Sequence, residues 1–164
     1  MTTLSKLTKL TSLIIAYGLT LNAFLSTSGA NAAVKLTHSA KSVCGIEIDN
    51  VHISRHMVRF QNIRGVLVSA RSKCNVPHSQ VLLTVQLYKV GKFGNHLLRT
   101  KTTDPKNPKS SGYLVRNDAA FIACRNYIRT TYFGIATSKA LINERWKYAG
   151  RARSDKSIEI NCGT

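Results

Sequence analysis

Residues 80–90 read QVLLTVQLYKV, with Val81, Leu83, Val85 and Leu87 on every second position and Thr84, Gln86 and Tyr88 between them. A helix returns to the same face after three or four residues, so this spacing would spread the apolar groups around its circumference. A strand alternates its side chains between two faces and puts all four on one side. The stretch is therefore predicted as a half-buried strand. GKFGN supplies turn glycines, and HLLRTKT returns as the partner of a hairpin.

The same period recurs along the chain. GIEIDNVHIS places Ile46 and Ile48 on one face, passes an Asp49-Asn50 turn signal, and resumes with Val51 and Ile53. HMVRF reads as strand with Val58 and Phe60 on one side, and RGVLVSARSKC groups Val66, Val68 and Ala70. FIACRNYIRTTYFGIA is a further strand, and SIEINC closes the chain with Ile158, Ile160 and Cys162 facing one way. TDPKNPKSSG, residues 103–112, reads as an exposed basic loop. Residues 138–154 carry two patterns. Ser138 can cap a helix with Ile142, Trp146 and Ala149 inward and Gly150 at its end. Equally, Asn143-Glu144 can turn between two short strands, and this β reading is preferred. Six to eight short antiparallel strands make an all-β domain, a sandwich or a small barrel.

The first residues have another character. MTTLSKLTK contributes Lys6 and Lys9 and no acid, residues 10–25 are uncharged and mostly apolar, and Ala30 and Ala32 follow in an A-x-A arrangement. This predicts a secretory signal peptide over residues 1–32, cleaved after Ala32. A membrane anchor needs about 20 apolar residues, and this run is shorter and interrupted by polar groups. No cysteine stands at the cleavage site for lipid attachment, and no Arg-Arg pair marks a twin-arginine route. The expected product is residues 33–164, with a flexible N-terminal segment (33–43) ahead of a single domain (44–164). No later segment is long and apolar enough to span a bilayer, so a secreted chain, extracellular or periplasmic, is expected.

Export gives the four cysteines, Cys44, Cys74, Cys124 and Cys162, their meaning. An even count in a small exported chain points to two disulfides, and no C-x-x-C or other close pair is present to seed a metal site. Three connectivities are possible. Cys44–Cys74 with Cys124–Cys162 is preferred, because each cysteine lies at or near a predicted strand and this choice closes local loops.

A long central hairpin, a Cys-bearing strand beginning CRNYIRT and a final short strand ending in cysteine resemble an immunoglobulin-like sandwich. The layout over residues 44–162 is similar to small exported bacterial immunoglobulin-like β-sandwich proteins with four cysteines. The resemblance implies a fold, and no functional residue is carried over from it.

The chain has 24 Lys and Arg against 7 Asp and Glu, a net charge of +17. Without Lys6 and Lys9 the remaining charge is +15. Such an excess draws a protein to anionic partners. For an exported chain these are cell-surface polyanions, acidic polysaccharide, nucleic acid or acidic lipid head groups.

No catalytic constellation emerges, no metal site or cofactor is called for, and the chain reads as a non-enzyme. His52 and His56 would share a face on a helix, but NVHISRHMVRF has strand character and no H-E-x-x-H is present. No G-x-S-x-G elbow marks a serine hydrolase. A small secreted nuclease would draw on His52, His56, His78 or His96, and no spacing selects among them. Three clusters of cations and rings stand out instead. The first is Arg125, Tyr127 and Arg129; the second Arg145, Trp146, Lys147, Tyr148, Arg151 and Arg153; the third Lys89, Lys92, Phe93 and His96 at the hairpin tip. Arginine and lysine answer an anion's charge while rings stack on bases or sugars. A Cys124–Cys162 bridge is expected to carry the last segment beside the first cluster and merge it with the second. Cys124, Ile128 and Tyr132 are expected to face inward. The first function expected is binding of an anionic surface or polymer; the alternative is a membrane-active toxin or antimicrobial with Phe93 at its tip.

Overall fold

The computed structural model describes residues 43–105 and 109–164. The signal peptide expected over 1–32 and the segment 33–42 lie outside the described residues. Nine strands and one helix occur among the described residues: β1 (Cys44–Ile48), β2 (His52–Ile53), α1 (Arg55–Gln61), β3 (Gly65–Cys74), β4 (Gln80–Gly91), β5 (Gly94–Thr103), β6 (Leu114–Ala123), β7 (Asn126–Ile142), β8 (Arg145–Arg153) and β9 (Ile158–Gly163). They form two antiparallel sheets of an all-β sandwich. In the four-stranded sheet, β1 and β2 lie in succession along one edge of β3 and β6 lies along the other. Asp49-Asn50 thus interrupts a sheet edge and does not turn a hairpin.

The five-stranded sheet runs β5-β4-β7, and the far edge of β7 is shared. β9 pairs with its first part and β8 with its second. β7 has 17 residues, far from the short strands expected, and this length lets one strand serve three neighbours. The β reading of 138–154 holds, with a two-residue hairpin at Asn143-Glu144. Both residues have positive φ, 47° and 61°, as a tight hairpin matched to strand twist requires.

The alternation in β4 does what it predicts: Val81, Leu83, Val85 and Leu87 are fully buried. They meet Ile46, Ile48, Val66, Val68 and Ala70 from the other sheet in one core. The sheets approach closely where β3 lies over β7. Any side chain at Gly134 would collide with Val68 and Ile48, and four residues further along both strands Ser138 Oγ donates to Ser72 Oγ at 2.9 Å. β3 and β7 therefore run the same way at a constant offset. A buried amide ties the sheets at another edge: Asn117 Nδ2 of β6 donates to the carbonyls of Leu83 and Lys101, both at 2.9 Å.

Both expected disulfides are present. Cys44–Cys74 joins directly opposed residues of β1 and β3, and Cys124–Cys162 joins the corner after β6 to β9. No free cysteine remains among the described residues, which fits an oxidising, extracellular or periplasmic compartment. No helix among the described residues is long and apolar enough to cross a membrane.

Two further expectations fail. HMVRF belongs to helix α1, where Ser54 Oγ caps the Met57 N–H and Asn62, at φ 53°, ends the last turn. Local capping outweighs the short apolar alternation, and Val58 and Phe60 are exposed. Ile128 also faces solvent, although Tyr132 is buried and donates to the Cys162 carbonyl. The β7–β9 register slips between Asn126 and Arg129, where Asn126 Oδ1 accepts the Ile128 N–H. That local turn breaks the alternation behind Thr130.

Gly134→Ala is expected to destabilise the fold by about 1–3 kcal/mol, because the sheets must separate to admit a methyl group. Glu144→Gly is expected to stabilise it by about 1 kcal/mol through relief of positive φ. Urea midpoints of the oxidised chain check both.

Candidate functional site

The outer face of the five-stranded sheet gathers cations and rings that lie far apart in sequence. Along β7 the outward positions are Phe133, Ile135, Thr137, Lys139 and Leu141, since Tyr132, Gly134, Ala136, Ser138 and Ala140 point into the core. Tyr88 of β4 lies opposite Phe133, and the two rings stack in parallel with centroids 5.0 Å apart. From the other side Arg153 lays its guanidinium carbon 4.2 Å from the Phe133 centroid. An open recess of about 470 Å³ is bounded by Tyr88, Asn95, Phe133, Ile135, Arg151 and Arg153. Further along, Lys139 Nζ stands 4.7 Å from the Trp146 ring and pairs in register with Tyr148. From Phe133 to Leu141 this face runs about 26 Å, at about 3.3 Å per residue.

Strict alternation would put Trp146 and Tyr148 on one side of β8 and Arg151 and Arg153 on the other. A bulge prevents this. Ser138 pairs with Gly150, and the next residue, Lys139, pairs with Tyr148, so Ala149 is the extra residue and keeps its side chain buried. Gly150 takes φ 103°, a conformation that L side chains rarely adopt. Beyond the bulge Arg151 and Arg153, opposite Thr137 and Ile135, return to the face of Trp146 and Tyr148. Arg145 and Lys147, opposite Ile142 and Ala140, point the other way and form a rim.

The first cluster stands elsewhere. Tyr127 is fourteen residues before Leu141, the partner of Trp146, which is roughly 45 Å of strand. The disulfide does bring β9 beside the start of β7, but the second cluster is on β8, which pairs with the other half of β7. The expected merger therefore does not occur. Arg129 is held by Glu159 at 3.1 Å, and Tyr127 lies beneath Arg64. At the hairpin tip Lys92 sits over Phe93, and Lys89 Nζ donates to the Thr164 carbonyl.

Acids do little to neutralise the outer face. Among the described residues the ion pairs are Glu47–Arg71, Asp118–Arg116 and Glu159–Arg129. The hydrogen bond from Arg71 to Glu47 raises the pKa of that guanidinium, and Arg116 is raised in the same way by Asp118. Lys139, Arg151 and Arg153 take part in none of these pairs. Of the histidines, His52 lies in β2 with Nδ1 2.9 Å from the Asn50 carbonyl oxygen, His56 in α1 against Phe60, and His96 in β5. His78 is buried, with Nδ1 3.0 Å from the Val76 carbonyl oxygen. Among the described residues, no three His, Cys, Asp or Glu side chains come together in a way that would hold a metal ion.

Sequence reasoning missed Tyr88, Phe133 as the centre of a stack, and Lys139. Their signal was the outward positions of β4 and β7, legible only once the pairing of the two strands is known. No protein-family model matches the chain, and no curated protein matches it in sequence.

If the bulge sets this face, Gly150→Val is expected to cost about 1–3 kcal/mol through backbone strain, whereas Thr137→Ala, on the flat part of the strand, stays within about 0.5 kcal/mol. Thermal melts of the two variants side by side provide the check.

Proposed function

We propose that the chain is an exported, non-catalytic binding module, its leader removed after Ala32, that holds an anionic polymer on the outer face of its five-stranded sheet. The observation that carries this reading is the Arg153–Phe133–Tyr88 stack beside a recess shared with Arg151. A guanidinium lying over a ring keeps its N–H donors in its own plane, where phosphate, sulfate or carboxylate groups can meet them. Phe133 is itself covered in this stack, at 3% exposure, so it serves to hold Tyr88 and Arg153 in place, and the half-buried Tyr88 is the ring left to meet sugar or base faces at small entropic cost. Lys139 with Trp146 and Tyr148 repeats the combination further along the same face, so a chain of evenly spaced charges would meet both sites in succession. The immunoglobulin-like kind of sandwich suits such a role, with a rigid sheet presenting the contact residues.

The test is retention of oxidised residues 33–164 on heparin and on DNA across a salt series. Binding through counterion release gives a steep loss with salt, and the double variant Arg151→Gln/Arg153→Gln is expected to lower the log–log slope on duplex DNA by about two. Equal behaviour on both columns would mean that charge spacing alone is recognised; salt-resistant preference for one would name the polymer class. An unchanged slope in the double variant would refute the assignment of this face.

A further inference from the structure

The constant offset between β3 and β7 brings three separate segments to one end of the sandwich. Gly134 packs on Val68 and Ser138 on Ser72, so Gly65, where β3 begins, stands level with Thr131. Residues 126–130 of β7 project beyond that level, and α1 with residues 62–64 precedes Gly65 at the same end. Arg64 ties the two together: its carbonyl accepts the Cys124 N–H, its guanidinium lies over Tyr127, and Nη2 donates to the Asn161 carbonyl. The β4–β5 hairpin reaches the same end, since Lys89 pairs with Tyr132 and the tip at Lys92-Phe93 lies three to four residues further on.

This end gathers six of the twelve large apolar side chains exposed among the described residues. Phe93 is 95% exposed, Tyr127 76%, Phe60 68% and Ile128 66%, with Val58 and Ile63 beside them. Helix α1 buries none of its residues. Cations are interleaved with these groups: Arg55, Arg59, Arg64, Lys92 and Arg125, none of which forms an ion pair among the described residues. Glu159 is the acid near this end, and Arg129 already holds it.

From this arrangement we propose that the end formed by α1, the start of β7 and the β4–β5 tip docks onto an anionic lipid bilayer, with Phe60, Phe93, Tyr127 and Ile128 entering the interface and the arginines and lysine meeting the head groups. Apolar groups ringed by cations complement the negative leaflet in both charge and polarity. Their distribution over three segments suits a broad, deformable surface, whereas a polymer chain or peptide needs a continuous track. The docking site uses different side chains from the polyanion face, which it adjoins at Asn95, two residues from Phe93, and which runs from there along the body of the sheet.

Trp146, the chain's one tryptophan, lies toward the opposite end, which makes the test directional. Oxidised residues 33–164, which contain both disulfides and the whole described fold, would be mixed with vesicles of phosphatidylcholine alone or with one quarter phosphatidylglycerol. The expected results are sedimentation with the anionic vesicles only, and a blue shift of emission for Phe60→Trp in a Trp146→Phe background with no shift for the wild-type Trp146. Phe60→Ser/Phe93→Ser is expected to weaken vesicle partitioning tenfold or more while leaving heparin retention unchanged. Arg151→Gln/Arg153→Gln should show the converse. Absence of vesicle binding, a shift at Trp146, or full binding by the double serine variant would overturn the proposal without touching the polyanion reading.

Discussion

The arrangement of this molecule depends on one close contact, the place where β3 crosses over β7 with no side chain at Gly134 to hold the sheets apart. Val68 and Ile48 occupy the space that a side chain would take, and the Ser72–Ser138 hydrogen bond satisfies two buried hydroxyls one step along. Buried polar groups without partners are costly, so this pair fixes one register of sheet on sheet where apolar contacts alone would tolerate several. From that register follows the level of every connection. The α1 segment, the β6–β7 corner and the β4–β5 tip fall at one end, while the Asn143-Glu144 turn and the Cys44–Cys74 bridge fall toward the other.

Net charge says that the protein attracts anions and leaves open where. The fold sorts the cations into settings with different neighbours. Arg71 and Arg129 are matched by acids on neighbouring strands and serve strand pairing, and Arg116 is matched by Asp118 within β6. Arg151, Arg153 and Lys139 lie along a sheet face with rings arranged in pairs, a surface carried by β4 and β7, each hydrogen-bonded on both sides, and by the edge strand β8. Arg55, Arg59 and Arg64 surround exposed apolar groups on and beside a small helix. Similar composition thus produces two surfaces of different shape and stiffness.

Much of the architecture was legible in the sequence, because burial on one face of a strand leaves a period of two. β4 shows this most plainly, and of the three possible disulfide connectivities the one preferred for its local loops is the one present. Local chemistry defeated the pattern in three places. The Ser54 and Asn62 caps turned an apparent strand into α1; the Asn126 side-chain hydrogen bond shifted Ile128 outward; and the bulge at Ala149-Gly150 moved Arg151 and Arg153 to the face of Trp146 and Tyr148. Each involves one or two residues whose backbone leaves the regular conformation, and alternation carries no mark of such a step. The Tyr88–Phe133 stack was invisible for another reason: it depends on the pairing of strands 45 residues apart.

Helix α1 has a further consequence. Seven residues are too few for a helix to persist in water by itself, and this one buries no side chain against the sandwich. What holds it is the pair of caps, the half-buried Met57 and its attachment to β2 and β3, so its opening exposes little apolar area beyond that one side chain. The free energy of that local opening is therefore decoupled from global unfolding, and its amide hydrogens exchange with solvent long before those of β3 and β7. One end of the sandwich can change its backbone conformation, and change back, while the core registers nothing.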